Sequence, residues 1–223
     1  MADWPKKPYY WAEADTGFAS IPFTWNLPEV RSEIEQSLFW HKWIVGGPAV
    51  ELAPDYFADM HEVAIGHNMP GVLQRINPDA TRTTVGCPNQ CAFCAVPCIE
   101  PEYGELDDWP DKPILCDNNL LAATAAHFDR VCDRLEKHPW CDFEQGLDAR
   151  LLSEHHAKRL ARLPQAMVRL SLDHTTLTDE WITAYAALPA NMACRRLVFV
   201  RTSSSASDQT LPMHGAAVIS STT

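Results

Sequence analysis

From Thr81 onward the chain repeats one rhythm. A short run rich in β-branched residues is followed by a polar turn and then by apolar positions at helical spacing. The runs Thr83–Gly86, Pro113–Cys116, Phe143–Leu147, Val168–Leu172 and Arg196–Val200 are the strand candidates. Between them, Leu121, Ala125, Phe128, Val131 and Leu135 form one helical face, with Asp117, Asn118 and Asn119 where an N-cap belongs. Ser153 can cap a helix carrying Ala157, Leu160 and Leu163, and Thr178 one carrying Trp181, Tyr185 and Leu188. Strands that alternate with such helices need crossovers, so they build a parallel sheet with right-handed connections. About five βα units predict an α/β fold of the open, partial parallel β/α barrel type.

The chain before Thr81 reads differently. Residues 1–20 hold Pro5, Pro8 and several aromatics without clear periodicity, and are expected as an irregular arm. Phe18–Trp25 reads as a strand. Asn26 can cap a helix with Pro28 in its first turn, where a missing N–H costs nothing. Val30, Ile34 and Leu38 share a face of that helix, which should end near Lys42. Trp43-Ile44-Val45 is a second strand, running into Gly46-Gly47-Pro48. Some fifty residues are too few for a doubly wound domain of about 100, so residues 1–50 are expected to be an arm plus a short β-α-β remnant of a Rossmann-like domain. Residues 51–80, with Pro54, Pro70 and Pro78, read as a connector, and residues 81–201 as the partial barrel. Residues 202–223 hold six serines and four threonines with Asp208 as the only Asp, Glu, Lys or Arg, and read as a disordered tail.

Composition sets outer bounds. The chain has 223 residues, 46% hydrophobic and 21% charged, ordinary for a globular protein. No apolar run reaches the ~18 residues of a membrane span. The net charge is -11 and Lys and Arg form no long block, which disfavours broad nucleic-acid binding. The N-terminus, Met-Ala-Asp-Trp-Pro-Lys-Lys, lacks the apolar stretch of a signal peptide, so a cytoplasmic setting is expected.

Three of the eight cysteines crowd into one run, Gly86-Cys87-Pro88-Asn89-Gln90-Cys91-Ala92-Phe93-Cys94, spaced C-x3-C-x2-C. Thr81-Arg82-Thr83-Thr84-Val85 stands ready to deliver this loop as a strand. Three thiolates on one loop can hold three irons of a 4Fe-4S cube and leave the fourth open to a small molecule, whereas four thiolates leave no such position. Zinc is the competing reading, with Cys98 completing an all-cysteine site. A third is an electron-transfer cluster in which Cys98 is the fourth ligand. Disulfides are disfavoured in a cytosolic chain. Cys116, Cys132, Cys141 and Cys194 are isolated and read as small core residues.

The spacing of Cys87, Cys91 and Cys94, the aromatic Phe93 before the third cysteine and the run Thr81–Cys94 resemble the radical S-adenosylmethionine (radical SAM) family. The resemblance covers most of residues 44–200. It implies a 4Fe-4S cluster on the three cysteines, SAM chelating the open iron, and reductive cleavage of SAM to a 5′-deoxyadenosyl radical that attacks an unknown substrate. It also implies an external electron donor of the flavodoxin or ferredoxin type. The family usually has about six βα units, so one is expected to be missing. Ile44–Val50 looks like the end of the nucleotide-binding-type domain found in the cobalamin-binding subgroup. That subgroup's Asp-x-His-x-x-Gly ligand motif is absent, Asp59-Met60-His61 being its nearest approach, so cobalamin is not expected.

Ligands of open α/β sheets sit at the carboxyl ends of the strands, and the resemblance assigns SAM contacts there. After the second strand candidate, Asp117, Asn118 and Asn119 suit the ammonium of the methionyl group, since it wants carboxylate or carbonyl acceptors; helix capping is their plainer role. After the third, Arg150 can pair with the SAM carboxylate through its planar fork, and Gln145 and Asp148 can meet the ribose or adenine. After the fourth, Ser171 or Asp173 stands where relatives contact the ribose. His174 reads as a loop histidine and Glu100, Glu102 and Glu105 as a solvated acidic run. A catalytically dead relative of the family is a further alternative.

Overall fold

The computed structural model describes residues 4, 6–67, 69, 71–92, 94–171, 178–188 and 193–194. Phe93, Asp173, His174, the strand expected at 196–200 and the tail 202–223 lie outside them. The chain forms two compact units, residues 1–79 with 89–101, and residues 80–88 with 102–223.

In the first unit β1 (Tyr9–Glu13) and β2 (Thr16–Ser20) make an antiparallel hairpin where an irregular arm was expected. Its two-residue turn has Ala14 at φ 53°, the left-handed conformation that such turns demand. Trp11 stacks on its cross-strand partner Phe18 at 5.0 Å between ring centres. A single 3-10 turn, Thr24–Asn26, leads into α1 (Leu27–Glu35), with Pro28 in the first turn as expected. Asn26 makes no side-chain cap.

Helix α1 stops well short of Lys42. Ser37 N–H bonds to Ile34 O, tightening the last turn, and the chain bends away to enter β3 (Lys42–Gly46). Leu38 therefore leaves the face shared by Val30 and Ile34 and is 85% exposed. β2 and β3 are parallel, which makes the expected β-α-β unit. Gly47 turns the chain at φ 96°; a Cβ there would stand 2.8 Å from Ile21 O, so the Gly-Gly-Pro turn needs its second glycine.

Residues 51–80 are not a bare connector. After α2 (Pro48–Leu52), Pro54 opens a 3-10 helix to Phe57, a first-turn place where proline does no harm. β4 (Val63–Gly66) then adds a third parallel strand beside β3. Two short helices, α3 (Val72–Ile76) and α4 (Val96–Ile99), complete this unit. Its core is built on Ile21, Val30, Val45, Val50 and Phe57, all buried.

The second unit begins with β5 (Ala80–Thr81) and β6 (Thr84–Val85), and the chain returns to it with β7 (Gly104–Glu105) antiparallel to β6. There follow β8 (Ile114–Leu115), α5 (Ala125–Leu135), β9 (Cys141–Phe143), β10 (Leu147–Asp148), α6 (Glu154–Leu160), β11 (Ala166–Val168), β12 (Leu170–Ser171), α7 (Thr178–Ala187) and β13 (Ala193–Cys194). Five of these strands form a parallel sheet in chain order, β5-β8-β9-β11-β13. β10 and β12 pair separately. The expected strand 143–147 is thus split: Glu144-Gln145-Gly146 interrupts it, so β9 ends at Phe143 and β10 starts at Leu147.

Alternation along these strands gives the sheet two different faces. Leu115, Phe143 and Val168 pack with Phe128, Val131, Leu135 and Leu160 in the hydrophobic core. Ile114, Asp142 and Met167 share a row on the opposite face. One step beyond the strand ends the same face continues as Arg82, Cys116, Glu144 and Arg169, because Cys116 N–H bonds to Thr81 O and Glu144 N–H to Leu115 O.

α5 is capped by Thr124, whose hydroxyl accepts His127 N–H at 3.3 Å, and not by Asp117, Asn118 or Asn119. A 3-10 turn at Leu120–Ala122 separates those three from the helix. Ser153 caps α6 as expected, with His156 closing the box from the third helical position. Among the described residues no helix is long and apolar enough to cross a membrane.

Candidate functional site

The cysteine loop is held at its base within the second unit. β6 and β7 pair through Val85–Gly104 and Thr84–Glu105, which closes residues 86–103 as one excursion. Gly86 takes φ 65° immediately before Cys87, a conformation glycine adopts without strain. Cys87 belongs to the second unit, and Cys91 and Cys94 to the first. Cys94 N–H bonds to Cys91 O at 2.9 Å, so these two sit at the ends of one tight turn. Cys98 lies exposed on α4.

Beneath the strand that delivers Cys87 lies a buried polar lattice. Asp117, 5% exposed, accepts the backbone N–H groups of Thr83 at 2.6 Å and Thr84 at 2.5 Å on Oδ1. The Thr84 hydroxyl donates to the same oxygen at 3.0 Å, and the Thr83 hydroxyl to Oδ2 at 3.1 Å. Burial pushes the Asp117 carboxyl above the ordinary carboxylate value, against the pull of these four bonds. The lattice continues through His127, whose Nε2 meets the Thr83 hydroxyl at 3.2 Å, while Arg130 donates to its Nδ1 at 3.0 Å. The neutral imidazole with its proton on Nε2 satisfies both contacts. Glu105 is part of this lattice rather than of a solvated run: it accepts the Thr124 N–H at 2.5 Å and hydroxyl at 3.0 Å.

Asn119 reaches the loop itself. Its side-chain amide donates to Cys87 Sγ at 3.5 Å, and its Oδ1 is buried with no hydrogen-bond partner. Tyr103, part-buried nearby, also has a buried hydroxyl without a partner, and burial pushes its pKa to about 12. A sulfur with an amide donor beside it, next to two orphaned polar atoms, suits a thiolate ligand whose neighbours complete a bound group. The donor set fits iron and sulfide in kind. Among the described residues no three His, Cys, Asp or Glu side chains stand together at metal-binding separation.

The other expected SAM contacts fall into two groups. Asp148 and Ser171 face each other in register on β10 and β12, and β10 lies against the 3-10 turn that follows Asn119. Arg150 and Asp148 bind each other, Nε to Oδ1 at 2.7 Å and Nη2 to Oδ2 at 2.6 Å. Arg150 also lines a groove of about 830 Å3 between α6 and α7. Gln145 is exposed and Asn118 half-buried. Asp117 stands apart from all of these in having both oxygens committed to Thr83 and Thr84.

Sequence reasoning missed the charged row on the face of the sheet opposite the hydrophobic core. Arg169, 4% exposed, grips the Asp142 carboxylate with two nitrogens, donates to Phe143 O at 2.7 Å and meets Glu144 at 3.2 Å. Cys116 lies in the same row, and burial pushes its thiol to about 12. The signal was present in Cys141-Asp142-Phe143-Glu144, where polar and apolar residues alternate with period two. The chain matches no protein-family model, no curated protein and no solved structure.

Proposed function

We infer that this chain is a radical SAM protein: Cys87, Cys91 and Cys94 hold a 4Fe-4S cluster, and SAM binds beside it. The observation that carries the reading is the C-x3-C-x2-C loop launched from β6, a few residues past the carboxyl end of β5, the edge strand of the parallel sheet, with Asn119 bonded to the first thiol. Strands that neighbour each other in chain order also suit an open, partial β/α barrel, since a doubly wound sheet reverses its order at a switch point. When bound, the cluster and SAM supply a one-electron cleavage that releases a 5′-deoxyadenosyl radical for hydrogen abstraction from a substrate.

The protein's part is placement. Asp117 fixes Thr83 and Thr84, and so fixes the strand end from which Cys87 departs. Asn119 orients Cys87 and offers a free buried carbonyl to a donor such as an ammonium. The Asp148–Arg150 pair stands ready for the polar groups of the nucleoside and carboxylate, and Ser171 is in backbone register with Asp148. An external flavodoxin- or ferredoxin-type donor supplies the electron, and the setting is the reducing cytoplasm.

A second reading rests on Cys98, exposed on α4 and four residues beyond Cys94. As a fourth ligand it would close the cluster and leave an electron carrier. Anaerobic reconstitution with iron and sulfide, followed by electron paramagnetic resonance of the reduced protein, separates the two. A 4Fe-4S signal that shifts when SAM is added supports the first reading, and one indifferent to SAM supports the second. A Cys91→Ala protein that still binds iron and cleaves SAM like its parent refutes both.

A further inference from the structure

The first unit carries an aromatic groove of about 440 Å3 that has no part in the reading above. One wall is a stripe of α1 that bears Glu29 and Glu33, one helical turn apart. The other wall is Leu38, Phe39, Trp40 and Trp43. Trp40 meets Trp43 edge-on at 5.5 Å between ring centres, and Tyr10 meets Trp43 edge-on at 6.5 Å.

Two features of this groove call for an occupant. Like charges four residues apart on a helix repel each other, yet among the described residues Glu29 and Glu33 form no ion pair. The only cation of α1, Arg31, is committed to Glu35 and Asp59. At the rim, Leu38 and Phe39 are 85% and 84% exposed, side by side, at the point where the helix gives way to the strand. An aromatic lining, Trp40 with the buried Trp43 behind its edge, beside two carboxylates makes a negative, apolar slot, which attracts a cation on an apolar stem. The bare apolar rim adds the kind of surface a polypeptide covers.

We propose that this groove docks a basic segment of a partner protein, inserting an arginine or lysine side chain between Glu29, Glu33 and the tryptophan wall while neighbouring apolar residues cover Leu38 and Phe39. The cationic group pairs with the two carboxylates, its stem lies on the rings, and the like-charge repulsion along α1 is relieved on binding. Charge complementarity favours this occupant over a second copy of the chain, which is itself strongly acidic at net charge -11.

The test uses the full chain labelled with nitrogen-15 and follows the indole N–H signals of Trp40 and Trp43. The probe is acetyl-Gly-Leu-Arg-Leu-Gly-amide, with citrulline in place of arginine as the neutral isostere. Saturable shifts at both indoles are expected with the arginine peptide. Affinity should be about tenfold weaker for the citrulline peptide and for the Glu29→Gln/Glu33→Gln protein, which should melt cooperatively at or slightly above the parent's temperature, as loss of the like-charge pair requires. Phe39→Ala should weaken binding as well. The absence of saturable shifts, or equal binding by the citrulline peptide or by the double variant, overturns the proposal. Equal affinity for acetyl-arginine methylamide alone overturns the polypeptide occupant and leaves a small organic cation. Cluster content and SAM cleavage are read separately, so failure here is distinct from failure of the radical SAM reading.

Discussion

Asp117 Oδ1 holds the backbone N–H of Thr84 at 2.5 Å, three residues before the first cysteine of the loop. A carboxylate from the end of β8 thereby ties down the strand that launches Cys87. Asp117→Ala would leave four buried donors without an acceptor, and should cost about 3–5 kcal/mol in urea denaturation. Asp117→Asn keeps one oxygen and should cost about 1–2 kcal/mol. If Asp117→Ala unfolds at the parent's urea midpoint, the lattice is not what holds this strand end.

Asn119 should tune the cluster that the proposed function places on Cys87. Its amide hydrogen bond withdraws charge from the sulfur and so favours the reduced state. Asn119→Ala is expected to bind the same amount of iron at a more negative reduction potential, read by a redox titration followed by electron paramagnetic resonance. An unchanged potential would remove Asn119 from the cluster's surroundings.

Arg169 and Asp142 form a buried ion pair, 5% and 7% exposed at the side chains. Removing Arg169 leaves the buried Asp142 carboxylate without its cation, so Arg169→Ala should destabilise by about 3–5 kcal/mol; Asp142→Ala should cost less, because Arg169 still meets Glu144. Replacing both, as Arg169→Met with Asp142→Leu, should recover much of that loss. A double-mutant cycle on denaturation midpoints measures the coupling, and additive losses would contradict it.

His127 should make stability pH-dependent. Burial is the chief cause that holds its imidazole below the ordinary histidine value. The unfolded chain then takes up this proton at a higher pH than the fold does. Its contribution is therefore fully present above about pH 6.5 and is lost as pH falls toward the depressed value. Melting temperatures of the parent should decline over that window more steeply than those of His127→Gln. Parallel curves would show that His127 titrates alike in both states.

What could be read from sequence was the part written in periodicity. Phe128, Val131 and Leu135 lie buried on α5 where their spacing put them, and Ser153 caps α6. The β-α-β unit before Gly47 was legible because Pro28 and the Gly-Gly-Pro turn mark its joints. The first hairpin was not, since Ala14 gives no sign of the left-handed turn it makes. Nor was the end of α1: Leu38 fits the helical period, but the backbone closes at Ser37 before reaching it. Among the site residues, the place of Asn119 in the loop after a strand was legible, but its bond to Cys87 was not. That Asp117 serves the backbone, and that Asp148 and Arg150 serve each other, depends on partners distant or local that spacing cannot rank.

The division of the cysteine loop has a consequence for how such a chain can be cut or inherited. Residues 89–101 belong with residues 1–79, while residues 80–88 and 102–223 belong together. Helix α4 from that excursion packs on α2. The backbone therefore passes from one unit to the other three times, and no single scission yields two whole pieces. Appending or losing the leading unit by end-to-end gene fusion would strand part of it inside the other. The two units are woven together by their connectivity.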